Sequence, residues 1–248
     1  MTVHTFATMG TVVSLRAAAT APIAAVEAVF AEADARFSLY RPDSEASRIA
    51  RGDLTLTAAS DVMREAYAEA LEWRTSTDGA FTPHRPDGVV DLAGTVKARA
   101  MAEAALLLGH GDWLLAVGGD VLCSGAATDS PWRVGIVDPA DRHSLLCSVP
   151  LGAEQPAMAT SGVAERGEHV WRRGHDAEEA RFVQVTVVAP DILTADVLAT
   201  AVLAGGPTTL DLVAERSGVD VLTVDVDGRL LATGRLRRLL TGAEVAPL

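Results

Sequence analysis

The stretch Phe182-Val183-Gln184-Val185-Thr186-Val187-Val188, followed at a short distance by Ala195-Asp196-Val197-Leu198-Ala199-Thr200, decides how the chain is read. The first run is β-branched and nearly continuous in apolar residues, the pattern of a buried strand. The second predicts a helix over 195–203, ended by Gly205-Gly206. A strand leading into an apolar helix predicts a sheet with helices packed on it. Asp196 and Thr200 are four apart, so they share one helix face with Cβ atoms about 5–6 Å apart. A carboxylate and a hydroxyl placed so offer two hard oxygens, the donors Mg²⁺ prefers. The plainer explanation is that Asp196 favours a helix N-terminus through the macrodipole and that Thr200 is packing. The pair alone leaves both open.

Working outward, the 248 residues fit one large domain or two small ones closely packed, and 49 % hydrophobic content suffices for a sizeable core. A formal net charge of -12 argues against nucleic acid as the main partner, since phosphate backbones need positive faces. Cys123 and Cys147 stand far apart on separate apolar stretches and read as reduced core residues rather than metal ligands. The first residues lack a basic segment followed by an apolar one, and no window approaches eighteen uninterrupted apolar residues. A cytoplasmic protein with no signal peptide and no membrane span is therefore expected.

N-terminal to the opening stretch, the first strand is expected at 12–15 and a helix behind Pro22, with Ile23, Val26, Phe30, Ala33 and Phe37 on one stripe. Pro42, with Ser and Asp around it, marks a loop; Tyr40 there suits either a half-buried structural role or stacking on a planar ligand. Ser60 or Asp61 caps a helix to about Arg74, and Asp78-Gly79 turns the chain into Ala80-Phe81-Thr82-Pro83. The segment 89–100 predicts a short strand, a glycine-containing turn and a helix running to Leu108. Asp91 and Lys97 flank that turn, placed for a salt bridge across it or for a ligand. A buried strand over 113–117 ends in Gly118-Gly119-Asp120, where the backbone can be closely approached, but the dinucleotide fingerprint is absent. Strands over 132–137 and 144–149 form a hairpin, Thr160-Ser161-Gly162 closes a further strand, and 165–180 is a polar, exposed loop holding His169 and His175. Asp227-Gly228 joins the last two strands. Strands and helices interleave, which predicts an α/β or α+β fold with a mixed sheet.

In order, Met9-Gly10-Thr11, Phe37-Ser38-Leu39-Tyr40 with Ser44 and Ser47, Gly79-Ala80-Phe81, Val90-Asp91-Leu92 through Lys97, Gly118-Gly119-Asp120, Thr160-Ser161-Gly162 and Ala195-Asp196 through Thr200 together resemble the ApbE-like FAD:protein FMN transferases. The resemblance runs from about residue 9 to residue 232, so residues 1–248 are expected to form a single domain of that kind. It implies a T-fold-related architecture of mixed sheets with packed helices. The implied activity is Mg²⁺-dependent transfer of the FMN moiety of FAD to a Ser or Thr hydroxyl of an acceptor protein, with release of AMP. A FAD pyrophosphatase yielding FMN and AMP, or a module that binds FAD without chemistry, are the alternatives.

The resemblance further implies that Asp196 and Thr200 give side-chain oxygens to the metal, with a backbone carbonyl from Gly94 and Ala199 in the same shell. Met9, Tyr40, Ala80, Phe81, Thr82, Asp91, Lys97 and Val170 would contact the flavin nucleotide, and His169 would serve as general base for the acceptor hydroxyl. Mg²⁺ and Mn²⁺ are not separated by such ligands. Three departures stand out: Lys97-Ala98 where the family has Lys-Gly, Phe81-Thr82 where it has Phe-Asp, and no Asp-Pro after His169. The chain carries no Asp-Gly-x-Ser/Thr-Gly-Ala-Thr acceptor motif, so it is not expected to label itself.

Overall fold

Met9 (φ 48°) and Gly10 (φ 71°) both hold left-handed backbone and reverse the chain between β1 (Thr2–Thr8) and β2 (Thr11–Ala17). A two-residue loop with positive φ at both positions matches the twist of the strands it joins. The strand Thr2–Thr8 was not expected; it pairs with β2 residue by residue, from Thr2↔Ala17 to Thr8↔Thr11. These details come from a computed structural model, which describes residues 1–127, 130–162, 182–239 and 245–247.

The remaining elements follow in order. They are α1 (Ile23–Phe37), α2 (Glu45–Ala50), a single 3₁₀ turn, α3 (Asp61–Ser76), α4 (Ala93–Leu108), β3 (Trp113–Val117), β4 (Asp120–Ser124), β5 (Trp132–Asp138), β6 (Asp141–Leu151), β7 (Ala157–Gly162), β8 (Phe182–Ala189), α5 (Ile192–Ala214), β9 (Asp220–Asp225), β10 (Leu230–Ala232), α6 (Gly234–Leu239) and β11 (Val245–Pro247). Nine strands form one sheet in the order β1-β2-β3-β4-β7-β8-β9-β10-β11, while β5 and β6 form a separate hairpin. Every neighbouring pair in the large sheet is antiparallel except β10 with β11, so the sheet is mixed by that one pair.

Strand alternation gives the sheet two apolar faces. One carries Leu15, Leu115, Leu122, Ala157, Ala159, Val185 and Val187, and α1, α4 and α5 cover it. The other carries Val121, Cys123, Met158, Val188 and Leu222, and the β5–β6 hairpin and Leu236 of α6 cover it. A third cluster lies beyond the helices, where Met63, Ala66 and Ala70 of α3 meet Phe81, Leu92, Val96 and, from α5, Val197 and Ala201. Cys123 is buried as expected, whereas Cys147 is only half-buried, at the rim of the hairpin's cluster.

Helix α5 is the pivot of these layers. Ala195, Leu198, Ala199 and Val202 face the sheet, and Val197 and Ala201 face α3. Apolar packing on two sides accounts for a helix hydrophobic nearly all round. By length and composition it could cross a membrane (mean hydropathy 1.5), but its apolar surface is taken up by the protein's own core and it carries a buried carboxylate. It starts earlier than expected, because Asp191 caps it: the Asp191 carboxylate accepts the Thr194 backbone N–H at 2.8 Å. Asp196 is therefore in the second turn, buried, and is not the N-terminal charge that its sequence position suggested. Gly206 (φ 67°, ψ -152°) breaks the helix where the glycine pair predicts an end, and Pro207 opens the second half.

The strand expected over 89–92 does not form. Val90 makes one isolated bridge with His84, and Asp91 donates its backbone N–H to the Pro83 carbonyl at 2.8 Å. The segment is a tight loop laid against 83–85, which delivers Leu92 and Gly94 to the start of α4.

Candidate active site

Asp196 and Thr200 project from α5 on the stripe between its two apolar faces, towards the first turns of α4. Lys97 of α4 meets them. Its ammonium makes a direct ion pair with the Asp120 carboxylate and lies 3.5 Å from Asp196 Oδ2. The three side chains are 7 %, 1 % and 2 % exposed, so they form an ion-pair group withdrawn from water. The salt bridge from Lys97 to Asp91 across the turn is not made. Asp91 instead turns its carboxylate onto the Ala93 N–H at 2.9 Å. Lys97 is buried, and its ammonium meets the two carboxylates.

Asp120 follows the Gly118-Gly119 turn, on the helix-covered side of β4. Its Oδ1 accepts the backbone N–H of Thr160 at 3.2 Å, tying β4 to the end of β7. On β7, Ala157, Ala159 and Ser161 point alternately to the same face, and Ser161 Oγ lies 3.0 Å from Thr200 Oγ1. Two strand ends and two helices thus converge on five polar side chains: Lys97, Asp120, Ser161, Asp196 and Thr200. The triad was hidden in the sequence because its members are far apart along the chain. Asp120 stood in the sequence as the last residue of the Gly118-Gly119-Asp120 motif, with no role of its own.

Of the residues expected to touch a nucleotide, Ala80 and Phe81 sit directly against the helices that carry this group. The Gly79-Ala80-Phe81 turn is wedged between two glycines. A Cβ on Gly94 would stand 2.8 Å from Phe81 Cε2, and one on Gly205 would stand 2.9 Å from Ala80 Cβ. No larger residue at either place would let the turn approach α4 and α5 so closely. Met9 is partly buried and packs on both the sheet-facing and the α3-facing clusters. Thr82 Oγ1 accepts the His84 N–H at 3.2 Å, and the His84 ring meets Tyr67 Oη at 2.9 Å. Tyr40 is 86 % exposed, so the half-buried structural role is overturned and its ring is open to solvent. The methyl of Ala199 faces the sheet, which leaves only its backbone carbonyl for any ligand. His169 and Val170 lie outside the described residues.

Among the described residues no three or more His, Cys, Asp or Glu side chains gather to hold a metal. That does not conflict with Mg²⁺, which keeps waters and is bound by one or two carboxylates together with substrate phosphates rather than by an all-protein cage. Asp196 and the Thr200 hydroxyl are hard oxygens at helical spacing, and the neighbouring Lys97 ammonium shows that the spot favours positive charge. The donor set fits a cation that arrives with a diphosphate.

The class these features define is an α/β protein whose buried charged group sits where helices cross the end of a largely antiparallel sheet. The sequence model of the ApbE family matches residues 9–87 and 84–223, and this chain belongs to that family. The FAD:protein FMN transferase of Escherichia coli (strain K12) is 30 % identical over 157 residues, which cover 58 % of this chain and 44 % of that protein. The enzyme of the same name from Salmonella typhimurium matches to the same extent. The chain therefore aligns with less than half the length of these relatives. Among solved structures, the ApbE protein of Thermotoga maritima superposes with a TM-score of 0.78 at 18 % identity, covering 96 % of this chain and 99 % of that one. The flavin transferase ApbE from Vibrio cholerae gives 0.75 at 22 % identity, with the same coverage. At such identities the superpositions establish the fold.

Proposed function

We propose that this protein transfers the FMN moiety of FAD to a Ser or Thr hydroxyl of an acceptor protein, with a divalent cation, Mg²⁺ in the first instance, and with AMP as the leaving group. The observation that supports this most is the convergence of Asp196, Thr200, Lys97 and Asp120 beside the Ala80–Phe81 turn. The names of the relatives point the same way.

In the proposed reaction the acceptor oxygen attacks the phosphorus on the riboflavin side of the diphosphate. A new P–O bond forms, the anhydride P–O bond breaks, and the electron pair leaves with AMP. The acceptor proton passes to a base, for which His169 is the candidate. Both states are anionic, so the protein contributes positioning and electrostatics more than covalent chemistry. When bound, Mg²⁺ supplies charge neutralisation at the bridging diphosphate. Asp196 and Thr200 would hold it, and Lys97, kept in place by Asp120, would fix the Asp196 carboxylate beside it. The open ring of Tyr40 offers a flat surface for an isoalloxazine or adenine.

The test is incubation of the protein with FAD, Mg²⁺ and a protein carrying the Asp-Gly-x-Ser/Thr-Gly-Ala-Thr motif. Covalent FMN on the acceptor, read by intact mass and in-gel fluorescence, is expected. AMP release without acceptor labelling would replace the transferase reading with a pyrophosphatase. Retained FAD with no AMP would reduce the protein to a flavin binder.

A further inference from the structure

We propose that Ser161 is a positioning residue for cation binding: it takes the proton of the Thr200 hydroxyl and so turns the Thr200 lone pairs towards the cation beside Asp196. The inference rests on the preceding reading of Asp196 and Thr200 as cation ligands, and it assigns a role to a residue on a different element.

A threonine hydroxyl has one proton and two lone pairs. To serve a cation it must direct a lone pair at it, so its proton must go elsewhere. Within a helix the usual taker is the carbonyl one turn back, which rotates the hydroxyl along the helix and away from a ligand at its side. Here the Thr200 hydroxyl has a cross-element partner, Ser161 Oγ at 3.0 Å. The partner does not belong to the helix, so it fixes the rotor independently of helix geometry.

Ser161 is itself well anchored. Its backbone pairs with Val185 in the β7–β8 ladder, and its neighbour Thr160 is held twice. The Thr160 N–H donates to Asp120 Oδ1 at 3.2 Å, and its hydroxyl meets Thr186 Oγ1 at 2.9 Å. The end of β7 is therefore tied to the carboxylate that holds Lys97. One rigid strand end sets the Thr200 hydroxyl, and through Asp120 the position of the lysine. Outer groups of this kind typically change metal affinity 10–100-fold when removed.

The experiment measures Mn²⁺ binding in the presence of FAD, by the loss of free-Mn²⁺ electron paramagnetic resonance signal, alongside thermal melts. Wild type, Ser161→Ala, Ser161→Cys, Ser161→Thr, Thr200→Ala and the Ser161→Ala/Thr200→Ala double variant are compared. Ser161→Ala and Ser161→Cys are expected to weaken Mn²⁺ by about 10-fold or more, and Ser161→Thr, which keeps a hydroxyl, to recover most of the loss. In the Thr200→Ala background Ser161→Ala should add nothing, because the residue acts through that hydroxyl. Unchanged affinity in Ser161→Ala, or an equal further loss in the double variant, overturns the proposal. A wild type that binds no Mn²⁺ with FAD would instead overturn the reading of Asp196 and Thr200, and the proposal with it.

Discussion

Replacing Lys97 by methionine removes the ammonium shared by two buried carboxylates and leaves a side chain of similar length. Lys97, Asp120 and Asp196 are each at least nine-tenths buried, so water cannot screen what remains. Two buried carboxylates then lose the ammonium they share. Removing one partner from a buried ion pair typically costs about 3–5 kcal/mol. For a chain of this size each kcal/mol moves the melting temperature by about 2–4 °C. Lys97→Met is therefore expected to melt on the order of 10 °C below wild type. Asp120→Asn is expected to lose less, because Lys97 and Asp196 remain as a neutral pair. Added Mg²⁺ should stabilise Lys97→Met more than wild type, since the ion binds the native state at a spot now short of positive charge. Differential scanning calorimetry with and without Mg²⁺ checks all three. If Lys97→Met melts within about 2 °C of wild type, or if Asp120→Asn is the more damaged, Lys97 is not the cation that holds the two buried carboxylates together.

Three more outcomes follow from local geometry. Gly94→Ala places a Cβ at 2.8 Å from Phe81 Cε2; overpacking of this kind costs about 1–3 kcal/mol. The displaced ring should weaken FAD binding, read by flavin fluorescence, while the chain still folds. Gly206→Ala forces a side chain into a backbone region (φ 67°, ψ -152°) open essentially to glycine, and is expected to cost about 1–3 kcal/mol in a denaturant melt. Burial pushes the Cys123 thiol up to about 12 and the Cys147 thiol up to about 11. At pH 8 the thiolate fraction of Cys123 is thus about one in ten thousand, and a thiol-reactive probe should label Cys147 first. The sign of the linked stability follows. Both thiols are raised above their unfolded value of 9.0, so the contribution is whole below pH 9 and is lost as pH rises towards 11–12. Cys123→Ala should flatten that alkaline decline.

What the sequence disclosed follows physical range. Elements with a local signature were legible: the α1 stripe, the Ser60 cap of α3, the Gly109 end of α4 and the buried strands β3 and β8. The Asp196/Thr200 spacing was legible too, because helix periodicity alone puts the two on one face. Thr2–Thr8 was missed because an edge strand with one solvated face mixes threonines with few large apolar residues. The segment 89–92 reads as a strand by composition, but its backbone is satisfied by 83–85 in a loop and finds no sheet partner. Asp91 and Lys97 read as flanking one turn, open to a salt bridge across it or to a ligand. The partners of Lys97 come from β4 and α5, and only the crossing of α4 over the sheet end brings them together. The Ser161–Thr200 contact had no sequence signal beyond two hydroxyl residues in separate motifs.

The position of the cation tests the central claim most directly. Crystals grown with FAD and Mn²⁺, measured at a wavelength where manganese scatters anomalously, should show one strong peak bonded to the Asp196 carboxylate, the Thr200 hydroxyl and the FAD diphosphate. A peak elsewhere, or a bound FAD whose diphosphate lies away from α5 with the Asp196 carboxylate still turned to Lys97, would contradict the account.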